Sequence, residues 1–488
     1  MFKYYSNLGY NNPYYFVDKK YVINNSLFEL SKIRNLDNII DATAVIELLN
    51  KNFMFGDRTI IKGIYKTPWL AKPDKDFENW IYYNLQKHDK IDTPEEELAT
   101  IFFQKICNEI ELYTKGKNKI GILLSGGMDS RIVAVALDYL IRNNRIKNAI
   151  VTGFTWGNKN SRDVIYAKEI ADRFKWEWKH YTVTGKDLIN NITETAISGC
   201  EFSPIHLHAI PQIRDNNKDI DIILAGSYGD SIGRAEYSGK KVKYIKPIDQ
   251  NITNICNLIH SEVFKNEKEN IKLDVSNYHT LFKEAESYMQ NELDYQLHYM
   301  RRMLNPCMNL LSKHSNFHQI FTHPSVYEYI WSINPTRRND NIYHIIISNY
   351  CVGISDIPWA RTGLPYGCTS GEPDNYNKEH HSYRDIILFE IWDYIIELVE
   401  SDEIKNLNLF NTTSIKQLIY LCKHIPNNSL LYYEKLIWLA SLAEMIKIYN
   451  LKGIHKKNYK NRHYGSLNIG IEYISSILKQ KIIKIVYK

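Results

Sequence analysis

The stretch that decides the fold is KIGILLSGGMDSRIVAVAL, residues 119–137. A nearly continuous apolar run leads into a small polar loop, and then into apolar residues at three- and four-residue spacing. That order reads as a buried strand, a loop and a helix. In an open parallel sheet such a loop sits at the carboxyl end of its strand, where helix N-termini point free N–H groups outward. Gly126 and Gly127 let the backbone curl closely round an anion. Ser125 and Ser130 add hydroxyl donors, and the helix beginning near Asp129 adds its positive end. The loop is suited to hold a phosphate. Asp129 would repel that phosphate unless Mg²⁺ lay between them, ligated by carboxylate and phosphate oxygens. The loop lacks the Lys-Ser/Thr ending of GxxxxGK[ST], so the ordinary γ-phosphate NTPase pattern is excluded.

The surroundings repeat the theme. PEEELATIFFQKICNEIELYT (94–114) has helical spacing with acids in its first turn. NAIVTGFTWG (148–157), EWKHYTV (177–183) and DIDIILAG (219–226) read as further strands, with a helix at SRDVIYAKEIADRF (161–174). Alternation of apolar strands with helices predicts an α/β fold: a doubly wound parallel sheet covered on both faces. Ahead of it, residues 1 to about 75 read as short β pieces and turns. YYFVDKKYVI (14–23) is a hairpin candidate and GDRTIIKGIY (56–65) a second extended stretch. From about 250 the pattern is mostly helical, interrupted by the Gly/Pro-rich IPWARTGLPYGCTSGEP (357–373). The last helix, IEYISSILKQKIIKIVY (471–487), is amphipathic and basic.

Bulk composition narrows the classes. At 488 residues the chain is long enough for two to four units. No apolar run approaches the ~20 residues that cross a bilayer. The start, MFKYYSNLGYNNPYYF, lacks the layout of a signal peptide, so a cytoplasmic location is expected. Seven scattered cysteines, never spaced CxxC, argue against a zinc site or a disulfide framework. The net charge of +6 is too mild to indicate nucleic acid binding. No histidines fall in HExxH or another metal spacing.

LLSGGMDSRIVA resembles the signature loop of the ATP-pyrophosphatases of asparagine synthetase type, and residues 153–183 and LAGSYGDSIG (224–233) resemble two further blocks of that family. The resemblance implies an adenine nucleotide α-hydrolase-like synthetase domain that binds ATP and Mg²⁺. Such a domain cleaves ATP between the α and β phosphates and transfers AMP to a carboxylate. It further implies that Ser125, Gly126, Gly127 and Ser130 hold the phosphates, and that Leu123, Ala225 and Gly226 line the adenosine. Trp156 lies against adenine or in the core, and Asp163 opens the helix of the second block. Asp230 joins Asp129 on the metal.

IIDATAVIELLNKNFMFGDRTIIKGIYK (39–66) resembles the end of the family's N-terminal glutaminase domain. The division expected is a truncated, inactive, β-rich glutaminase-like remnant at 1–90, a synthetase domain at 91–400 and a helical extension at 401–488. Where the family has the glutaminase cysteine this chain has Phe2, and no cysteine precedes Cys107. Nitrogen would then come from ammonia, from a separate glutaminase, or from an amine on the second substrate. The family lysine near the reacting carbonyl is also absent; Arg361 stands in that region and can stabilise an oxyanion without acting as a base. Ser231 replaces a usual Glu in the acidic loop.

The activity this implies is an AMP-forming amide ligase acting on a small-molecule, sugar or peptide carboxylate. Amidation of a surface-sugar uronic acid, cyclisation of a peptide or amino acid, and a non-catalytic nucleotide-binding partner subunit are the alternatives. Arg301 and Arg302 face either the pyrophosphate or solvent. His323 falls in a segment that packs behind the site. The basic run LKGIHKKNYKNRHYG (451–465) and the last helix either touch an anionic lipid surface or pack as ordinary surface elements.

Overall fold

The structure, a computed structural model, describes residues 12–83, 88, 93–233, 239–365, 367–368, 370–425, 429–454 and 465–486. Phe2 and the basic residues 455–464 lie outside the described residues.

Five parallel strands form the central sheet, in the spatial order Asn316–Gln319, Ile222–Ala225, Lys119–Leu123, Ile150–Trp156, Glu177–Tyr181. The chain runs outward from Lys119–Leu123 through two strands on one side, then returns to build the other side. The direction therefore reverses between Lys119–Leu123 and Ile222–Ala225, which opens a crevice at their carboxyl ends. Alternate residues of each strand serve opposite faces. Ile120, Ile122 and Leu224 pack with the helices Glu95–Thr114, Met128–Arg142 and Asn341–Tyr350. Leu123, Phe154 and Ile223 pack with Phe202, Ile210 and Leu311. This is the doubly wound sheet that the strand-loop-helix pattern required.

The front segment departs from a strands-and-turns reading. Its hairpin is present, Tyr14–Asp18 paired antiparallel with Lys20–Asn24. Residues 56–65 form isolated bridges and turns rather than a strand, ending in the two-residue strand Tyr65–Lys66. Two helices, Leu27–Ile33 and Ala42–Lys51, lie between. Each starts on a side-chain cap: Ser26 accepts from the Glu29 N–H, and Asp41 from the Ala44 N–H.

The apolar faces of these two helices meet residues far along the chain. Leu30, Val45 and Leu49 share one core with Leu188 and with Leu436, Leu439 and Leu442 of the long helix Leu431–Tyr449. Asn38 Nδ2 donates to the Tyr449 carbonyl at 2.8 Å, and Ile40 N to the Lys452 carbonyl at 2.9 Å. Residues on both sides of position 90, and on both sides of position 400, contribute to this core.

A π-helix, Tyr295–Leu304, fastens the front segment to the sheet domain. Arg301 and Arg302 are fully buried on it, so neither occupies a solvated face. Arg302 donates to the carbonyls of Gly56 and Arg58. Arg301 donates to Asp57 Oδ1 at 2.7 Å and to the Thr67 carbonyl at 2.6 Å. Gly56 N in turn donates to His298 Nδ1 at 2.9 Å. Lys66 and Glu201, also buried, pair at 2.8 Å beside them. A buried guanidinium is costly to desolvate, and here that cost is offset by carbonyls that would otherwise lack partners.

Arg302→Ala removes the side-chain donor to the Arg58 carbonyl and leaves the Gly56 carbonyl to Arg301 alone. The expected loss is about 3–5 kcal/mol of stability, read from the urea unfolding midpoint. A change under about 0.5 kcal/mol would mean the arginine does not brace the front segment.

Candidate functional site

The cavity sits at the carboxyl edge of the sheet, at the reversal of strand order, and has a volume of about 280 Å³. Its wall takes residues from three strand ends. Leu123 ends the strand Lys119–Leu123 and Ser125, Gly127, Asp129 and Ser130 follow it, Thr155 and Trp156 end Ile150–Trp156, and Ala225 ends Ile222–Ala225, with Gly226 and Ser227 after it.

The loop after Lys119–Leu123 organises itself through its serines. Ser125 Oγ accepts from Gly127 N at 3.1 Å and lies 3.0 Å from Ser130 Oγ, which also accepts from Ser125 N at 3.1 Å. Gly127 precedes the helix Met128–Arg142 with no side-chain cap, so the first turn presents its backbone N–H groups toward the loop. Asp129 lies in that first turn. Arg131, fully buried, holds the assembly from behind, donating to the carbonyls of Ile357 at 2.8 Å and Pro358 at 2.9 Å.

Two glycines bring the second loop onto the first. A Cβ at Gly226 would lie 2.6 Å from the backbone carbon and oxygen of Asp129 and 2.7 Å from Ser130 N. A Cβ at Gly229 would lie 2.5 Å from Asp129 Oδ1. The Asp129 carboxylate thus rests against the backbone that immediately precedes Asp230. Tyr228, at φ +79°, points inward and donates to the Met300 carbonyl at 2.8 Å. Gln296 donates to the Ser231 carbonyl at 2.7 Å. The π-helix therefore fixes the acidic loop as well as the front segment, and its Met303 and Leu304 line the cavity.

Several sequence-selected residues lie outside the cavity wall. Gly126 turns away from it: its N–H donates to the Asp163 carbonyl at 3.0 Å, and its carbonyl accepts from Ala360 N at 3.2 Å. Asp230 is half-buried beside Ser231, whose hydroxyl donates to it at 3.3 Å. Arg361 is exposed, with its guanidinium 5.6 Å from the Trp359 ring. His323 caps the helix Pro324–Ser332 and pairs with Glu109 at 2.8 Å, away from the cavity.

The sequence reading missed a histidine wall. His206, His208 and His380 line the cavity. The His208 ring stacks on Trp156 at 5.6 Å and on His381 at 4.8 Å, and its Nδ1 lies 2.6 Å from the Tyr383 hydroxyl. Trp156 thus both stacks within the protein and faces the cavity. Burial pushes His208 down to about 3, with the nearby His206 and His380 adding to the effect. Burial likewise lowers His380 and raises Asp163, whose Oδ2 lies 3.9 Å from His380 Nδ1. The only sequence signal for this wall was two couplets, HLH at 206–208 and HH at 380–381.

The residues present fit a nucleotide with its cation. The uncapped helix start and the serine-glycine loop suit phosphate, and the apolar walls at Leu123 and Ala225 suit a nucleoside. Among the described residues, no three His, Cys, Asp or Glu are arranged to hold a metal ion. A cation between Asp129 and Asp230 would draw its remaining ligands from phosphate and water, as Mg²⁺ commonly does.

Residues 110–233 match the family model described as asparagine synthase. That stretch contains both loops, and it is similar to the domain of a family of ATP-dependent amidation ligases. No curated protein matches the chain.

The neutral His208 has a consequence for stability. Its folded value lies below the ordinary 6.5, so between about 6.5 and 3 the unfolded chain binds a proton that the folded chain does not. The stability it contributes is complete above 6.5 and is lost as pH falls. In His208→Asn, the slope of unfolding free energy against pH between about 6 and 4 should be shallower by about 1 kcal/mol per pH unit. Parallel slopes in the two proteins would mean that His208 is charged in the fold.

Proposed function

We propose that the chain is an ATP-dependent, AMP-forming ligase that adenylates a substrate carboxylate and passes the acyl group to ammonia or an amine. The observation that carries this reading is the close seat of the Asp129 carboxylate on the loop bearing Asp230, at the crevice of the sheet. Two carboxylates carried on touching loops beside an anion-binding loop would repel each other and the phosphates unless a cation joined them.

In this reading Ser125, Gly127, Ser130 and the first turn of Met128–Arg142 hold the phosphates, with Gly126 shaping the loop from behind. Leu123, Trp156, Ala225 and Gly226 enclose the adenosine. Asp129 and Asp230 would hold Mg²⁺, which when bound screens the phosphate charge and eases departure of pyrophosphate. Arg361, on the strap that hydrogen-bonds to Gly126, supplies positive charge at the acyl centre. The work of the protein is positioning and electrostatics, since pyrophosphate and AMP are the leaving groups.

Residues 1–106 hold no cysteine, so in this reading they offer no thiol to release the nitrogen from glutamine. Ammonia, a separate glutaminase or an amine substrate supplies it instead. The front segment is the remnant of a glutaminase domain, retained as a brace; the grip of Arg301 and Arg302 on residues 56–67 supports that role. The acceptor carboxylate belongs to a small molecule, a sugar acid or a peptide.

The test is product analysis with ATP, Mg²⁺, ammonium and a panel of amino-acid, uronic-acid and peptide carboxylates. AMP and pyrophosphate are expected, and ADP with phosphate as the main products would overturn the reading. Asp129→Asn and Asp230→Asn should each lower AMP formation roughly 10²–10⁴-fold. Each should also abolish the Mg²⁺-dependent part of ATP affinity measured by calorimetry, with the thermal midpoint unchanged or slightly raised. Normal turnover in either variant would remove the metal role from that residue.

A further inference from the structure

The helix Gly465–Val486 is fastened to the protein by one face. Ile469 and Tyr473 are fully buried there. The Tyr473 hydroxyl donates to the Ile425 carbonyl at 3.0 Å, and its ring lies 4.8 Å from that of Tyr432. Glu472 Oε2 accepts from Cys256 N at 3.0 Å.

Among the described side chains, the opposite face carries three open apolar residues. Ile471, Ile474 and Leu478 are 59%, 47% and 54% exposed. At 3.6 residues per turn these three fall within an arc of about 60°, and Ile469 and Tyr473 fall on the far side. A helix that has already buried one apolar face gains nothing within its own fold from a second, water-facing stripe.

Charge says what the stripe is for. Residues 455–488 hold seven lysines and one arginine against a single acid, Glu472, so 8 − 1 gives +7. The whole chain carries +6, so everything outside this stretch sums to −1. The net positive charge is thus concentrated in this one stretch, and its one acid is turned inward onto the Cys256 N–H. A second copy of the chain would bring two such stretches together against their repulsion. A nucleic acid or other soluble polyanion would use the lysines but leave the apolar stripe in water. An anionic lipid surface uses both, with the side chains entering the headgroup–acyl boundary and the lysines meeting the phosphates.

We propose that this helix docks the protein peripherally on an anionic lipid surface, with Ile471, Ile474 and Leu478 as the inserted residues. Among the described residues no helix is long and apolar enough to cross a membrane, so the attachment is to the surface and reversible.

The experiment is co-sedimentation of the full chain with phosphatidylcholine vesicles, with and without phosphatidylserine, at about 0.1 M and about 0.5 M salt. Binding is expected on the phosphatidylserine vesicles at low salt, weaker by about tenfold or more on phosphatidylcholine alone or at high salt. The triple variant I471S/I474S/L478S removes no charge and alters only exposed positions. It should keep its thermal midpoint and bind phosphatidylserine vesicles about tenfold or more weakly. Three results would overturn the proposal: no binding by the parent chain, equal binding by the triple variant, or a parent dimer that the triple substitution makes monomeric.

Discussion

Everything at the site depends on one backbone-to-backbone approach. The loop after Ile222–Ala225 presses on the first turn of Met128–Arg142 so closely that a single methyl at Gly226 would meet three backbone atoms of Asp129 and Ser130. Backbone atoms at a helix start cannot step aside as a flexible side chain can, so the two loops move together or not at all. Parallel pairing of the two strands sets this approach, and the reversal of strand order leaves the space above it open. The Asp129 carboxylate lies against the loop that bears Asp230 because the sheet brings the two loops together, although about a hundred residues of chain separate the two acids.

The π-helix carries that constraint outward. It anchors the acidic loop through Tyr228 and Ser231, supplies Met303 and Leu304 to the cavity wall, and grips residues 56–67 through two buried arginines. A π-helix departs from the usual hydrogen-bond ladder and tends to persist where geometry at a functional site requires it. Here the geometry serves three elements at once. That gives a physical reason for the front segment's hold on the sheet domain, since its backbone carbonyls accept from two buried guanidinium groups.

The sheet and the signature loop were legible in the sequence because their signals are local: an apolar run, a glycine-serine loop and helical spacing over consecutive residues. Ser125, Gly127, Asp129 and Ser130 could be named from that pattern, and Leu123, Ala225 and Gly226 from the resemblance. The histidine wall was not legible. His206 and His208 reach the cavity from one turn and His380 from a strap 172 residues further on than His208, and only the fold brings them to Trp156. Arg301 and Arg302 were misread for a related reason. Their partners are mostly backbone carbonyls, which every residue possesses and no sequence pattern marks. The helices Leu27–Ile33 and Ala42–Lys51 are each short of four turns, and they are held by caps and by the long helix near the other end of the chain.

The central claim is that the two loops form one nucleotide-cation site. The most direct measurement is a crystal structure grown with a non-hydrolysable ATP analogue and Mn²⁺, read by the anomalous signal of the metal. The account predicts one manganese peak within coordination distance of both Asp129 and Asp230, with phosphates against Ser125, Gly127 and Ser130. Manganese bound elsewhere, or a nucleotide whose phosphates point away from that loop, would contradict it.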